Sequence, residues 1–181
     1  KEGDSCPECG KKIKLSHSIE VGNIFKLGTK YSEPFDLSYK DEKGNKKLVI
    51  MGCYGIGLGR VMGAIAEIHH DQDGIIWPET VAPLDAHLIS LLPKDANTKW
   101  KVEEVAKKLY DTFSKKKRDD PGCEVLYDNR ADISAGEKLV EADLLGIPWR
   151  IVVSEKTVAS GKIEIKRREQ KTVKLIKISE A

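Results

Sequence analysis

The sequence predicts an α/β (α+β) protein in two parts: antiparallel strands feeding a glycine-rich segment over residues 1–82, then a mixed-sheet α/β domain over 83–181. Three observations predict it. Short β-prone runs flank a hairpin-like connection in the first part, strands alternate with helix-length amphipathic stretches in the second, and "IIWPETVAPLD" (75–85) separates the two with prolines bracketing a polar turn.

Residues 1–18 are polar and contain the turn "CPEC". The runs "IEVGNIFKL" (19–27) and "KLVIMGCYG" (47–55) read as antiparallel strands, joined through the Gly- and Lys-rich "KDEKGNKK" (40–47). Val61, Ile65 and Ile68 then recur at helical spacing, with Met62 and Ala64 widening the stripe, which predicts a helix over about 60–70. Beyond residue 82 come "AHLISLL" as strand, a helix over 99–114 (Val102, Val105, Ala106, Leu109, Phe113), "CEVLYD" as strand, a helix over 135–145 (Leu139, Ala142, Leu145) and "WRIVVS" as strand. A hairpin of "KIEIKRR" with "TVKLIKI" completes a sheet that mixes parallel and antiparallel pairs. The one low-complexity run, "SKKKRDD" (114–120), reads as a helix end and loop.

Composition sets outer limits. The chain has 181 residues, enough to bury a real core, and 31 basic against 29 acidic residues leave a net charge of +2, so bulk charge does not mark a nucleic-acid binder. A local basic excess over 151–181, eight Lys or Arg against four Glu, reads either as a solvated face or as a patch for a partner. No apolar run reaches the roughly 18 residues of a membrane span, and the four cysteines lack the dense spacing of a secreted disulfide scaffold, so a cytoplasmic protein is expected. The first residue is Lys, not Met, and a missing N-terminal part is expected.

The segment "GCYGIGLGRV" (52–61) holds four glycines and an arginine between a strand and a helix. It has neither the Gly-Lys-Ser/Thr ending of a P-loop nor the G-x-G-x-x-G spacing of a dinucleotide fold. Gly55, Gly57 and Gly59 recur every second residue, the strand period, which places all three on one bare strand face open to a flat ligand. Arg60 follows at the strand-to-helix junction, where a guanidinium grips phosphate bidentately beside the positive helix end. The alternative is a strand whose glycines make room for a neighbour's side chain.

"GIGLGR" with its apolar helix resembles motif 3 of the class II aminoacyl-tRNA synthetases. Together with "IEVGNIFKLGTKYSEPF", "GIIWPETVAP" and "DNRADISAGEKLVEADLLGIPWRIVVSEK", it resembles the bacterial type of prolyl-tRNA synthetase from about residue 17 onward. The resemblance implies the C-terminal part of an antiparallel-sheet catalytic domain (1–82, with motif 3) and an anticodon-binding domain (83–181). It also implies a proline–tRNA ligase that activates proline with ATP and Mg2+ and transfers it to the tRNA 3′ end, acting as a homodimer without a membrane. By resemblance Arg60 is the catalytic γ-phosphate contact, Glu20, Asn23, Gly57 and Gly59 adjoin the nucleotide, and Phe25, Cys53 and Gly55 line the proline pocket. The family usually has Gly-His where this chain has Gly22-Asn23, and "GVSR" where it has "GLGR". Motifs 1 and 2 have no match, so the chain alone is expected to form no prolyl-adenylate. A non-catalytic synthetase-like RNA-binding module is the alternative function.

Two further groups are candidates. Asp128, Arg130 and Lys138, by resemblance in region, are expected to read the anticodon through base-edge and phosphate contacts. Cys6 and Cys9 have zinc-knuckle spacing, but zinc takes four ligands; His17 is a third candidate and a fourth is unidentified.

Overall fold

The computed structural model describes residues 1–115 and 122–180, which divide into two units, Lys1–Ala64 and Ile65–Ala181. Residues 116–120 of "SKKKRDD" therefore lie outside the described residues.

In the first unit, β1 (Gly22–Gly28) is followed by a hairpin of β2 (Ser38–Lys40) and β3 (Lys46–Leu48), and then by β4 (Met51–Ile56), which pairs antiparallel with β1. The expected connection "KDEKGNKK" closes the β2–β3 hairpin. The Asp41 carboxylate there accepts from the N–H groups of Lys43 (3.0 Å) and Asn45 (2.9 Å), and Gly44 takes the left-handed φ of 80°. Helix α1 (Leu58–Ile68) begins two residues before the expected position, because the Gly57 carbonyl already accepts from the Val61 N–H at 2.9 Å. The strand thus ends and the helix begins inside the glycine cluster.

The second unit runs β5 (Ala86–Leu91), α2 (Ala96–Phe113), β6 (Val125–Asp128), α3 (Ala135–Leu145), β7 (Trp149–Ser154), the short α4 (Glu155–Ala159), β8 (Lys162–Arg167) and β9 (Lys174–Lys177). The sheet order is β6-β5-β7-β8-β9, with β5 parallel to β6 and β7, and β8 antiparallel to β7 and β9. This is the mixed sheet the sequence predicts. Asp95 and Ser134 cap α2 and α3 by accepting from the N–H groups of Thr98 (3.1 Å) and Glu137 (3.2 Å). On one side of the sheet, Leu88, Ile151, Val153 and Ile163 pack with Val102, Ala106 and Leu109 of α2; Ile89 and Val152 meet Ala142 of α3 in a separate buried cluster. Consecutive crossovers flank β5, so the sheet has a topological switch point at the C-terminal ends of β5 and β7.

By packing, the chain divides after Ala64, well before the boundary expected at 82. The stretch 65–82 is bound to the second unit by partners far away in sequence. Trp77 donates its indole N–H to the Leu145 carbonyl (3.1 Å), Arg167 pairs with Glu79 (3.1 Å), and the Arg168 guanidinium grips Asp71 at 2.6 and 2.8 Å while donating from Nε to the Asp143 carbonyl. Gly146, which ends α3 at φ 74°, lies so close to Ile75 that an added Cβ would overlap its carbonyl. Composition marks the proline turn; these long-range contacts set where the compact units part.

Candidate functional site

Residues directly opposed in an antiparallel pair share a face, so the register of β1 and β4 decides which side chains meet. Asn23 stands opposite Gly55, and Phe25 opposite Cys53. The nucleotide candidate Asn23 and the three proline-pocket candidates therefore lie on one face of the two-stranded sheet. Gly55 leaves that face bare: an added Cβ would meet nothing within 4 Å. Phe25 and Cys53 are exposed beside it, and the Asn23 side-chain oxygen accepts from the Ile24 N–H at 2.8 Å.

The expected run of three glycines along one strand face is not formed. Gly55 lies in β4, Gly57 connects strand to helix, and Gly59 is the second residue of α1, because the helix starts at Leu58. Gly57 instead ties the junction together, its N–H donating to the Val21 carbonyl at 2.9 Å. Arg60 sits in the first turn of α1 and donates from Nη1 to the Glu20 carbonyl at 2.7 Å, which joins the expected catalytic arginine to the segment entering β1. Glu20 takes part through its backbone carbonyl. Gly22 is the close-approach glycine that period alone does not reveal: a Cβ there would lie 3.0 Å from the Gly55 carbonyl oxygen.

In the second unit, Asp128 at the end of β6 and Arg130 just beyond it form a bidentate pair. Arg130 donates from Nε and Nη2 to the two carboxylate oxygens at 3.0 and 2.8 Å, and from Nη2 to Glu141 of α3. Lys138 is a correction to the expected anticodon readers: it is 1% exposed, with its ammonium donating to the Ser90 carbonyl at 2.9 Å and lying 3.4 Å from Asp128. Asp128 is 6% exposed. The Lys138 stem carries its ammonium from α3 to the Ser90 carbonyl of β5 and to Asp128, so both charges are held by protein partners. Arg130 lines an open cleft of about 280 Å³ at the C-terminal ends of β5 and β7, together with Leu91, Pro93, Ser154, Lys156 and the buried Lys138. That is the place where sheets of this topology bind ligands.

The two hydrogen bonds from Arg130 hold the Asp128 carboxyl down to about 2, against an opposing effect of burial, with Lys138 assisting. A carboxyl whose folded value lies below its unfolded one contributes stability that is whole above about pH 4 and is lost as pH falls towards about 2. Urea midpoints of the chain should therefore drop as pH goes from about 5 to about 3, and Asp128→Asn should flatten that slope. Equal slopes in variant and parent would refute the linkage.

The basic excess near the C-terminus is only partly a solvated face. Arg168 is buried on Asp71, and the Arg167 guanidinium lies over the Trp149 ring at 4.5 Å. Glu141, Ser90 and Asp71 are bonding partners that sequence reasoning missed, since nothing local links them to Arg130, Lys138 or Arg168. Cys6 and Cys9 share one turn, but His17 does not join them: no group of three His, Cys, Asp or Glu among the described residues is placed to hold a metal.

With this geometry in place, comparison with known proteins is decisive for the second part. Residues 81–181 match the family model described as "Anticodon binding domain", more than half of the chain. The chain belongs to the anticodon-binding domain family. Residues 11–69 match the model "tRNA synthetase class II core domain (G, H, P, S and T)". The chain is 49% identical over 179 residues to "Proline--tRNA ligase" of Thermoanaerobacter sp. (strain X514), covering 99% of this chain and 30% of that protein. It is 45% identical over 184 residues to the protein of the same name from Thermodesulfovibrio yellowstonii, covering 100% of this chain and 31% of the relative. The solved structure titled "Giardia lamblia Prolyl-tRNA synthetase in complex with prolyl-adenylate" superposes with a TM-score of 0.75 at 25% identity, over 88% of this chain and 32% of that one. The chain thus spans about 30% of the length of the curated relatives it matches. The resemblance read from the motifs, to prolyl-tRNA synthetases with a class II core segment and an anticodon-binding domain, is borne out. No described helix is long and apolar enough to cross a membrane.

Proposed function

We propose that the chain serves a proline–tRNA ligase, with residues 1–82 forming part of the amino-acid activation site and residues 83–181 binding the anticodon of the tRNA for proline. The observation that carries this is the β1–β4 register: it brings Asn23, Phe25, Cys53 and Gly55 to one face, with Arg60 tied to the strand entering that face.

In this proposal the adenylate forms when a proline carboxylate oxygen attacks the α-phosphorus of ATP and pyrophosphate leaves. A tRNA 3′-terminal ribose hydroxyl then attacks the prolyl carbonyl, and AMP leaves. Positioning and charge stabilisation carry both steps. Arg60 holds the γ-phosphate, and its bond to the Glu20 carbonyl fixes one edge of the guanidinium. Gly57 and Gly59 keep the helix start free of side chains beside the nucleotide, and Asn23 supplies an amide that does not titrate. Phe25 walls the proline ring over Cys53 and Gly55, where a thiol and a bare backbone leave room for a pyrrolidine. Magnesium carried on the ATP phosphates would add charge neutralisation to that supplied by Arg60. Zinc at Cys6 and Cys9 would need two ligands beyond the described residues, and the pair is assigned no step in the ligase reaction. A homodimer working in the cytoplasm completes the proposal.

The full-length protein carrying this chain should catalyse proline-dependent exchange between ATP and pyrophosphate, while the 181 residues alone should not. Absence of exchange from the full-length protein with every amino acid would sink the ligase proposal and leave an RNA-binding module. Arg130→Ala should weaken tRNA binding about tenfold, the scale of one charge-assisted contact of roughly 1.5 kcal/mol. Exchange should persist in that variant. Unchanged tRNA affinity would remove Arg130 from the anticodon cleft.

A further inference from the structure

The N-terminal turn holds a chemistry that the ligase proposal does not use. Its ends are clamped: Gly3 donates to the Ile13 carbonyl (2.9 Å), Ile13 to the Asp4 carbonyl (2.8 Å) and Cys6 to the Lys11 carbonyl (2.8 Å), while Ser5 and Lys12 form an antiparallel bridge. Inside this clamp, Gly10 adopts φ 68° and donates to the Cys6 carbonyl at 2.9 Å, which folds Cys6-Pro7-Glu8-Cys9 back on itself. The Cys9 and Glu8 N–H groups both point at the Cys6 sulfur, and the Cys9 thiol hydrogen-bonds to the same atom. The two thiols are therefore hydrogen-bond neighbours on a pinned backbone, with Cys9 exposed and Cys6 half-exposed.

Such a turn has two chemical uses. A zinc knuckle is one, but the pair supplies two of four ligands and the described residues add no third. A dithiol is complete as it stands. We infer that Cys6 and Cys9 form a reversible thiol–disulfide pair, with Cys6 as the attacking sulfur and Cys9 as the resolving one. The hydrogen bonds from Cys9 N–H first, then Glu8 N–H and the Cys9 thiol, favour the Cys6 thiolate and hold its pKa below the ordinary thiol value, as in other Cys-X-X-Cys turns. The oxidant is a low-molecular-weight disulfide. The Cys6 thiolate attacks one of its sulfurs, forming a mixed disulfide and expelling one thiolate. Cys9 then loses its proton to solvent and attacks the Cys6 sulfur, forming the Cys6–Cys9 bond and expelling the second thiolate. Each cysteine gives up one electron and the small disulfide takes both. A dithiol reductant reverses the sequence.

The other two cysteines are internal controls. Cys53 stands singly on β4, and burial, with Asp85 adding to it, pushes the Cys123 thiol up. The full chain is incubated with glutathione disulfide, quenched with an alkylating reagent and mapped by peptide mass. The expected result is one linked peptide joining Cys6 to Cys9, with Cys53 and Cys123 still alkylated, and full recovery of thiols by dithiothreitol. Cys9→Ser should accumulate the glutathione adduct on Cys6, whereas Cys6→Ser should leave Cys9 reacting about tenfold more slowly. Cys6 and Cys9 alkylated to the same extent as Cys53 would overturn the inference. So would protein that holds stoichiometric zinc, shields both cysteines from alkylation and forms no linked peptide. Neither result bears on proline-dependent exchange, so the ligase proposal stands or falls separately.

Discussion

Arg60→Ala in the full-length protein is expected to lower proline-dependent pyrophosphate exchange about a hundredfold or more, roughly 2.7 kcal/mol of transition-state stabilisation, the scale of one lost charge-stabilising donor. Arg60 is exposed in the first turn of α1, and its one side-chain hydrogen bond among the described residues goes to the Glu20 carbonyl, so its removal leaves no charge stranded in a core. Folding should therefore survive, and the thermal midpoint should change little. The loss should appear in the dependence on ATP more than on proline, because the guanidinium is proposed to act on the γ-phosphate. Arg60→Lys should recover only part of the activity, since an ammonium cannot hold the Glu20 carbonyl and a phosphate with the same planar fork. Exchange within a few-fold of the parent would exclude the phosphate role.

The second large effect falls on stability. Lys138→Met should destabilise the second unit by about 3 kcal/mol, read from urea unfolding of the chain. The variant keeps the apolar stem but strips the Ser90 carbonyl of its donor and leaves Asp128 with Arg130 as its remaining cation. An anticodon-reading lysine would behave in the opposite way: weakened tRNA binding with stability intact. Measuring both quantities on one variant separates the two roles, and a loss of tRNA affinity at unchanged urea midpoint would return Lys138 to the RNA surface.

These two residues mark how legible the molecule was. Arg60 was visible because its signal is local: a glycine cluster, a change of period from two to helical, and a charge at the junction all lie within ten residues of sequence. The mixed sheet was visible for the same reason, as strands and amphipathic helices alternate at lengths that leave few topologies. Even so, period two stops short of the third glycine: Gly59 belongs to α1 and the bare face is held by Gly55. Periodicity identifies an element but places its end poorly, and here one hydrogen bond, Val61 N–H to the Gly57 carbonyl, set the end.

Lys138 was misplaced because composition treats every lysine alike, whereas burial depends on whether a partner waits inside. That partner, the Ser90 carbonyl, lies 48 positions away, and Asp71, which fixes Arg168 in the interior, lies 97 positions away. Local sequence settled the elements, the glycine junction and the kinship of the motifs, because backbone propensity and hydrophobic period act over a few residues. The tertiary structure decided which charges face inward, where the units divide and which side chains share the β1–β4 face, because register and ion pairing are interactions between segments that only the folded chain brings together.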